Sequence, residues 1–183
     1  MSDFITLPDG DFTLEDVTVP ACLAGQSGHH IRTDITIRDG KLSDEPAEQK
    51  FAMGVAIVFP AFTDMHTDLD KGHIWGRAPN PDGTFMGALD TVRADCRANW
   101  SADDVRTRMD FSLRCAYAHG TRAIRTHLDS IPPQNDISWP VFEEVRADWK
   151  GRIDLQASSL VGMEGVTLPD EHDTYAHTAH LVA

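Results

Sequence analysis

The chain has 183 residues and a formal net charge of −13, with 41% hydrophobic and 25% charged residues. These values are typical of one globular domain, or of one domain with a small appendage. The acidic balance argues against nucleic acid as a partner, because phosphate binding requires clustered Lys and Arg.

The acidic N-terminus lacks the apolar core of a signal peptide, and no apolar run approaches the length of a membrane span. We therefore expect a cytoplasmic protein without a membrane partner. The three widely spaced cysteines predict neither a disulfide framework nor a CxxC metal site.

The first part of the chain, residues 1–54, reads as short strands and turns. VTVPACLAG and HIRTDITIRDGKL alternate apolar and polar residues, which is the pattern of half-buried strands. Asp39-Gly40 inside the second stretch is a strong hairpin signal. The segment is too small to bury a core alone, so we expect it to form part of a β layer that is completed elsewhere.

Residues 55–183 alternate strands with helices. VAIVFPAF, starting at Val55, predicts a buried strand, and residues 75–87 predict a long loop. A helix is predicted over 88–99, and a second is predicted to begin after a Ser101 cap and end before Gly120. The further predicted elements are a strand at TRAIRTHLD, a helix over 139–149, a strand at IDLQASSL and the start of a helix in 170–183. This order favours parallel strands joined by helical crossovers.

Ionisable side chains are concentrated after the first of these predicted strands. His66 and Asp68 stand two positions apart and would share one face of a strand, and Asp70 would join them if the extension continues. An imidazole and a carboxylate on one face are suitable ligands for a divalent metal. The pattern is weak, and a histidine that hydrogen-bonds locally at a strand end remains open. His127 and Asp129 repeat the spacing one strand later and favour a structural pair that braces the strand ends.

Other common catalytic motifs are absent from the sequence. It contains no GxSxG nucleophile elbow, no GxGxxG after a strand and no P-loop. It also lacks the HxE and PCxxC elements of the small zinc-dependent nucleoside deaminases.

The ordered motifs HTDLDK, DGTF, RTHLD, IDLQ and MEGV resemble the cytosine deaminase-like branch of the amidohydrolase superfamily, and DITIRDGKL resembles the small β-sandwich that precedes the barrel there. The resemblance implies an α/β fold: the N-terminal part of a metal-dependent-hydrolase TIM barrel. Residues 1–54 would form the composite β-sandwich segment and residues 55–183 the first three β/α units of an incomplete barrel.

The resemblance also implies a chemistry. One divalent metal, Fe²⁺ or Zn²⁺, would activate water for the hydrolytic deamination of a small nitrogen heterocycle. His66 and Asp68 would be metal ligands, and Asp70, His127 and Asp129 would act behind them. Met163 and Glu164 would contact the substrate, whereas the family's acid–base residues match no position up to Ala183.

The chain departs from the family pattern at Asp68, which replaces the second histidine of His-x-His, and at Met163, which replaces a glutamine. It also offers only three of the eight strands of a barrel. A homo-oligomer or a complementing C-terminal chain is therefore an expected partner. Two alternatives remain: a non-catalytic, truncated amidohydrolase remnant that persists as an oligomer, and an unrelated small α/β binding domain.

Overall fold

The computed structural model describes residues 7, 9–54 and 56–163. The chain divides into two compact units, and the boundary between them in the sequence falls between Pro60 and Ala61. Glu164 and the helix predicted in 170–183 lie outside the described residues. Within the described ranges, no helix is long and apolar enough to cross a membrane.

The first unit contains one four-stranded sheet. Its strands are β1 (Phe12–Pro20), β2 (His30–Arg38), β3 (Lys41–Ser43) and β4 (Lys50–Ala52), and a short 3₁₀ helix, Ala21–Ala24, follows β1. The spatial order is β3-β2-β1-β4, in which β1 pairs antiparallel with β2 and parallel with β4. The alternating side chains bury a small cluster made of Phe12, Leu14, Val17 and Val19. The described residues thus give one β layer, and the second layer of a sandwich stays a prediction.

The turn between β2 and β3 confirms the predicted hairpin. Asp39 and Gly40 both have positive φ, at 49° and 70°. Two central residues with positive φ match the right-handed twist of the flanking strands, and Asp-Gly supplies them with little strain.

The prediction of a buried strand at VAIVFPAF is wrong. The described part of this run lies beside β1 in the first unit: Thr18 donates to the Ala56 carbonyl at 2.9 Å and accepts from the Val58 amide at 2.9 Å. Ile57 and Phe59 are exposed. These residues therefore extend the first sheet, and the first compact unit runs to Pro60.

The second unit is a three-stranded parallel sheet with helical crossovers. Its strands are β5 (Phe62–Thr67), β6 (Thr121–Asp129) and β7 (Asp154–Leu160), in the order β5-β6-β7. The helices α1 (Phe85–Asn99) and α2 (Ala102–Ala118) connect β5 to β6, and α3 (Asn135–Asp148) connects β6 to β7. The predicted parallel strands with helical crossovers are confirmed, whereas a closed barrel stays a prediction.

Caps determine where two of the helices begin. The Thr84 hydroxyl accepts from the Gly87 amide at 2.9 Å, so α1 starts three residues before the predicted position 88. The Ser101 hydroxyl accepts from the Asp104 amide at 3.2 Å, which confirms the predicted cap of α2. The helix predicted over 139–149 begins earlier, at Asn135. Pro140 therefore lies inside α3 and does not mark its start.

One face of the parallel sheet carries the core of this unit. Ile124 and Leu128 of β6 pack with apolar side chains of the helices, among them Met109 of α2 and Phe142 of α3. The intervening residues of β6 are less buried: Arg125 is exposed, and His127 and Asp129 are half-buried. This alternation directs the predicted functional side chains of β6 to the face opposite the core.

Candidate active site

Two imidazole rings meet near the carboxyl ends of β5 and β6. The ring centroids of His66 and His127 are 4.3 Å apart, and the ring planes are inclined by 34°. His66 is exposed, whereas the His127 Nδ1 atom is enclosed and has no hydrogen-bond partner among the described residues. The sequence pattern paired His66 with Asp68; the fold brings His66 to His127 on the neighbouring strand.

Asp68 belongs to a charged group that also contains Lys71 and Asp129. The Lys71 ammonium is 3.6 Å from Asp68 Oδ1 and 2.9 Å from Asp129 Oδ1. Asp68 and Asp129 are therefore joined by one lysine. Burial acts to lower the pKa of Lys71, but its hydrogen bond and ion pair with Asp129 outweigh this and raise it.

Asp70 is the fully buried carboxyl of this region. Its Oδ2 atom accepts from the Asp129 amide at 2.9 Å and from the Ser138 hydroxyl at 3.1 Å. Burial, and then the charge of Asp129, raises the pKa of Asp70 to about 6. Asp70 therefore ties the segment after β5 to the end of β6 and to the first turn of α3.

Two further contacts position the segment that carries Asp68, Asp70 and Lys71. The buried Leu69 side chain belongs to the core, and the Leu69 amide donates to the Thr126 hydroxyl at 3.0 Å. Arg108 of α2 donates to the carbonyl oxygens of Asp70 and Gly72, the latter at 3.1 Å. The segment is thus held through its main chain from both the sheet and a helix.

Arg108 is a positioning residue that the sequence analysis missed. It stands next to Met109 in the apolar stripe of α2, and nothing in that pattern distinguishes it from a solvent-facing arginine. In the fold it is 6% exposed, its guanidinium lies 4.8 Å from the centre of the Trp100 ring, and it donates to Asp104 at 2.9 Å. A buried arginine with this many partners is expected to be costly to remove.

We expect Arg108→Ala to lower the free energy of unfolding by about 3 kcal/mol, because the carbonyl oxygens of Asp70 and Gly72 lose this donor and the buried packing against Trp100 is lost. Arg114 on the same helix is a matched control: its side chain is 72% exposed and pairs with Asp110 at 2.7 Å. Arg114→Ala is expected to cost less than about 1 kcal/mol. Urea denaturation followed by tryptophan fluorescence measures both, and equal losses in the two variants would contradict the anchoring role.

The predicted substrate-contacting residues follow β7. Met163 is described and 74% exposed, three positions after the last residue of that strand. Glu164 lies outside the described residues. Their predicted contacts with a substrate therefore stay predictions.

The donor atoms present fit a metal only in part. Neutral imidazole is a good ligand for Zn²⁺ or Fe²⁺, and the enclosed His127 Nδ1 has no competing hydrogen bond in the described structure. The Asp68 carboxylate instead faces an ammonium group. Among the described residues, no group of three or more His, Cys, Asp or Glu side chains is arranged to hold a metal ion.

Comparison with known proteins gives relatives in sequence and in fold. No protein-family model matches the chain. It is 54% identical over 165 residues to a pterin deaminase of Rhizobium rhizogenes (strain K84 / ATCC BAA-868), covering 84% of this chain and 38% of that protein. Its fold is similar to that of Klebsiella pneumoniae 5-methylcytosine deaminase liganded with 5-fluorocytosine, with a TM-score of 0.69 at 19% identity, covering 93% of this chain and 41% of that one.

A second solved structure, N-isopropylammelide isopropylaminohydrolase of Burkholderia multivorans ATCC 17616, gives a TM-score of 0.60 at 21% identity and covers 95% of this chain and 43% of that one. The chain spans about two fifths of the length of these relatives. The predicted resemblance to amidohydrolase-superfamily deaminases is confirmed over the part of their length that this chain spans.

Proposed function

We propose that this chain forms the N-terminal part of a metal-dependent hydrolase that deaminates a nitrogen heterocycle, with a pterin as the first candidate substrate. The observation that carries the proposal is the 54% identity with a pterin deaminase over 165 residues. In such a reaction, water adds to the ring carbon that bears the amino group and ammonia leaves, so the ring gains a carbonyl oxygen in place of the exocyclic nitrogen.

The side chains at the carboxyl ends of the parallel strands support this chemistry. Active sites of parallel α/β folds are built at this edge of the sheet. His66 and His127 would hold one divalent ion, Fe²⁺ or Zn²⁺, which when bound makes a water molecule more acidic and more nucleophilic. Further ligands would have to come from outside the described residues. Asp70 and Asp129 would fix the geometry of the segment behind the imidazoles.

The proposed partner is further polypeptide, either a C-terminal portion that completes the barrel or a second copy. β5 and β7 are the edge strands of the described sheet. Phe62 and Met65 of β5 are 56% and 74% exposed, which favours association because edge strands and apolar patches promote it. The same exposure suits the alternative function, a non-catalytic remnant that persists as an oligomer.

Measurement of ammonia release tests the proposed deaminase function and distinguishes it from the alternative, a non-catalytic remnant. Because the chain spans only part of its relatives, the assay uses both this chain and the full product of its gene, loaded with Zn²⁺ or Fe²⁺. Pterin, cytosine and 5-methylcytosine are offered as substrates. We expect pterin to yield one ammonia per ring and to be preferred over cytosine. No ammonia from any of the three with metal-loaded full-length protein would overturn the proposal in favour of the remnant.

We expect His66→Ala to reduce kcat/KM of the full-length protein at least about 100-fold, or about 2.7 kcal/mol of transition-state stabilisation. His29→Ala is the matched control, since His29 is exposed and belongs to the first unit. The control should retain activity within about two-fold. Metal content is measured in both variants, and activity in His66→Ala equal to that of the control would contradict the assignment.

A further inference from the structure

Lys71 is surrounded by carboxyl groups at the candidate site. Its ammonium contacts Asp129 at 2.9 Å and Asp68 at 3.6 Å, and its side chain is only 19% exposed. The buried Asp70 carboxyl adjoins the same place, since it accepts the amide of Asp129. One ammonium group therefore neighbours three acidic residues.

Two oxygen atoms of this group have no hydrogen-bond donor. Asp68 Oδ1 and Asp70 Oδ1 are both enclosed, and neither accepts a hydrogen bond from a described residue. The 3.6 Å separation of Asp68 Oδ1 from the Lys71 ammonium is an ion pair but too long for a hydrogen bond. Enclosed carboxylate oxygens without a hydrogen-bond donor are stabilised by a nearby positive charge. Lys71 provides that charge here, in the place where a divalent cation would otherwise be attracted.

We propose that Lys71 occupies the cation position between Asp68 and Asp129, so that its ammonium and a divalent ion exclude one another at these carboxylates. Asp68 is then not a metal ligand while Lys71 is present. Metal binding by this chain rests on its imidazoles, His66 first. The proposal refines the metal dependence of the proposed function, and its test uses no substrate, so either one can fail without the other.

Replacement of the ammonium tests the proposal through metal affinity. Co²⁺ binding is measured by equilibrium dialysis and by the visible absorption of bound Co²⁺, in the wild type, Lys71→Met and Lys71→Arg. Methionine is similar in length and carries no charge, whereas arginine keeps the charge. We expect Lys71→Met to bind Co²⁺ at least ten-fold more tightly than the wild type. Lys71→Arg should bind it within about three-fold of the wild type.

Asp68→Asn assigns the effect to the carboxylate. In the presence of Lys71, this change is expected to alter Co²⁺ affinity less than three-fold. In the double variant Lys71→Met/Asp68→Asn, the increase in Co²⁺ affinity that Lys71→Met produces should disappear. The melting temperature of Lys71→Met should rise on addition of Co²⁺ by more than that of the wild type, because the ion restores the missing charge.

Two results would overturn the proposal. One is a ten-fold loss of Co²⁺ affinity in Asp68→Asn with Lys71 intact, which would make Asp68 a ligand despite the ammonium. The other is unchanged affinity in a folded Lys71→Met variant. If Lys71→Met does not fold, Lys71→Gln replaces it, and the Asp68→Asn result in the wild-type background still decides.

Discussion

Replacement of Phe142 with alanine is expected to lower the free energy of unfolding of the second unit by about 3–5 kcal/mol. Phe142 is 2% exposed and belongs to the core between the helices and the parallel sheet. Its ring also meets the Trp139 ring edge-on, with centroids 6.2 Å apart. The loss combines the apolar area returned to water with a cavity that the surrounding helices close only in part.

Phe111 provides the control for this variant. It lies on α2, is 53% exposed, and has the His73 ring as an edge-on neighbour at 4.7 Å. Phe111→Ala is expected to cost less than about 1 kcal/mol, because about half of Phe111 is already exposed to water and its removal leaves no enclosed cavity. Urea unfolding curves at neutral pH measure both variants. A Phe142→Ala loss no larger than that of Phe111→Ala would show that α3 does not form this core.

Removal of the Asp95 carboxylate is the second large effect. Asp95 is 4% exposed. It accepts from Arg77 at 2.8 Å through both carboxylate oxygens, from Asn99 at 2.7 Å and from the Trp100 indole at 2.7 Å. Asp95→Ala is expected to lower the free energy of unfolding by about 3 kcal/mol, because the buried indole and the guanidinium lose a charged acceptor.

The same carboxylate predicts a pH dependence. Burial acts to raise the pKa of Asp95, but the hydrogen bonds from Arg77, Trp100 and Asn99 outweigh it and lower the pKa to about 2. A folded-state pKa below the unfolded value of about 3.9 stabilises the fold above that value, and this stabilisation is lost as the pH falls towards 2.

The Asp95→Asn variant isolates this effect. We expect the stability difference between wild type and Asp95→Asn to be largest above about pH 4 and to shrink as the pH falls from 4 to 2. Urea unfolding at a series of pH values measures the difference. A difference that is constant over this range would contradict the assignment to Asp95.

The sequence predicted the second unit well where local signals agree. The strand predicted at TRAIRTHLD is confirmed as β6, in which Ile124, Thr126 and Leu128 are buried on one face. Ser101 marked the start of α2 because its hydroxyl can satisfy a free amide of the first turn. These features depend only on residues close in the chain.

The sequence failed where the deciding contact is distant in the chain. The apolar run AIVF could be a strand of either sheet. Backbone hydrogen bonds with Thr18 place it in the first unit, and these bonds join residues that are far apart in the sequence. The contact of His66 with His127 likewise joins two strands, and the register of β5 against β6 shifts between Asp64 and Thr67. A spacing rule applied within one strand has no information about a neighbour on the next strand, so it gave neither this His66–His127 contact nor a role for Lys71.

The hydrogen bonds of Arg108 to the segment after β5 do not depend on the side chains of that segment. Its guanidinium binds the carbonyl oxygens of Asp70 and Gly72, groups that every amino acid carries. At Gly72, an added Cβ would meet the Ser112 hydroxyl at 3.7 Å, an ordinary contact distance. Position 72 therefore has room for a Cβ while the hydrogen bonds from Arg108 persist, so an alanine there would change the surface of this segment and leave its attachment to α2 intact.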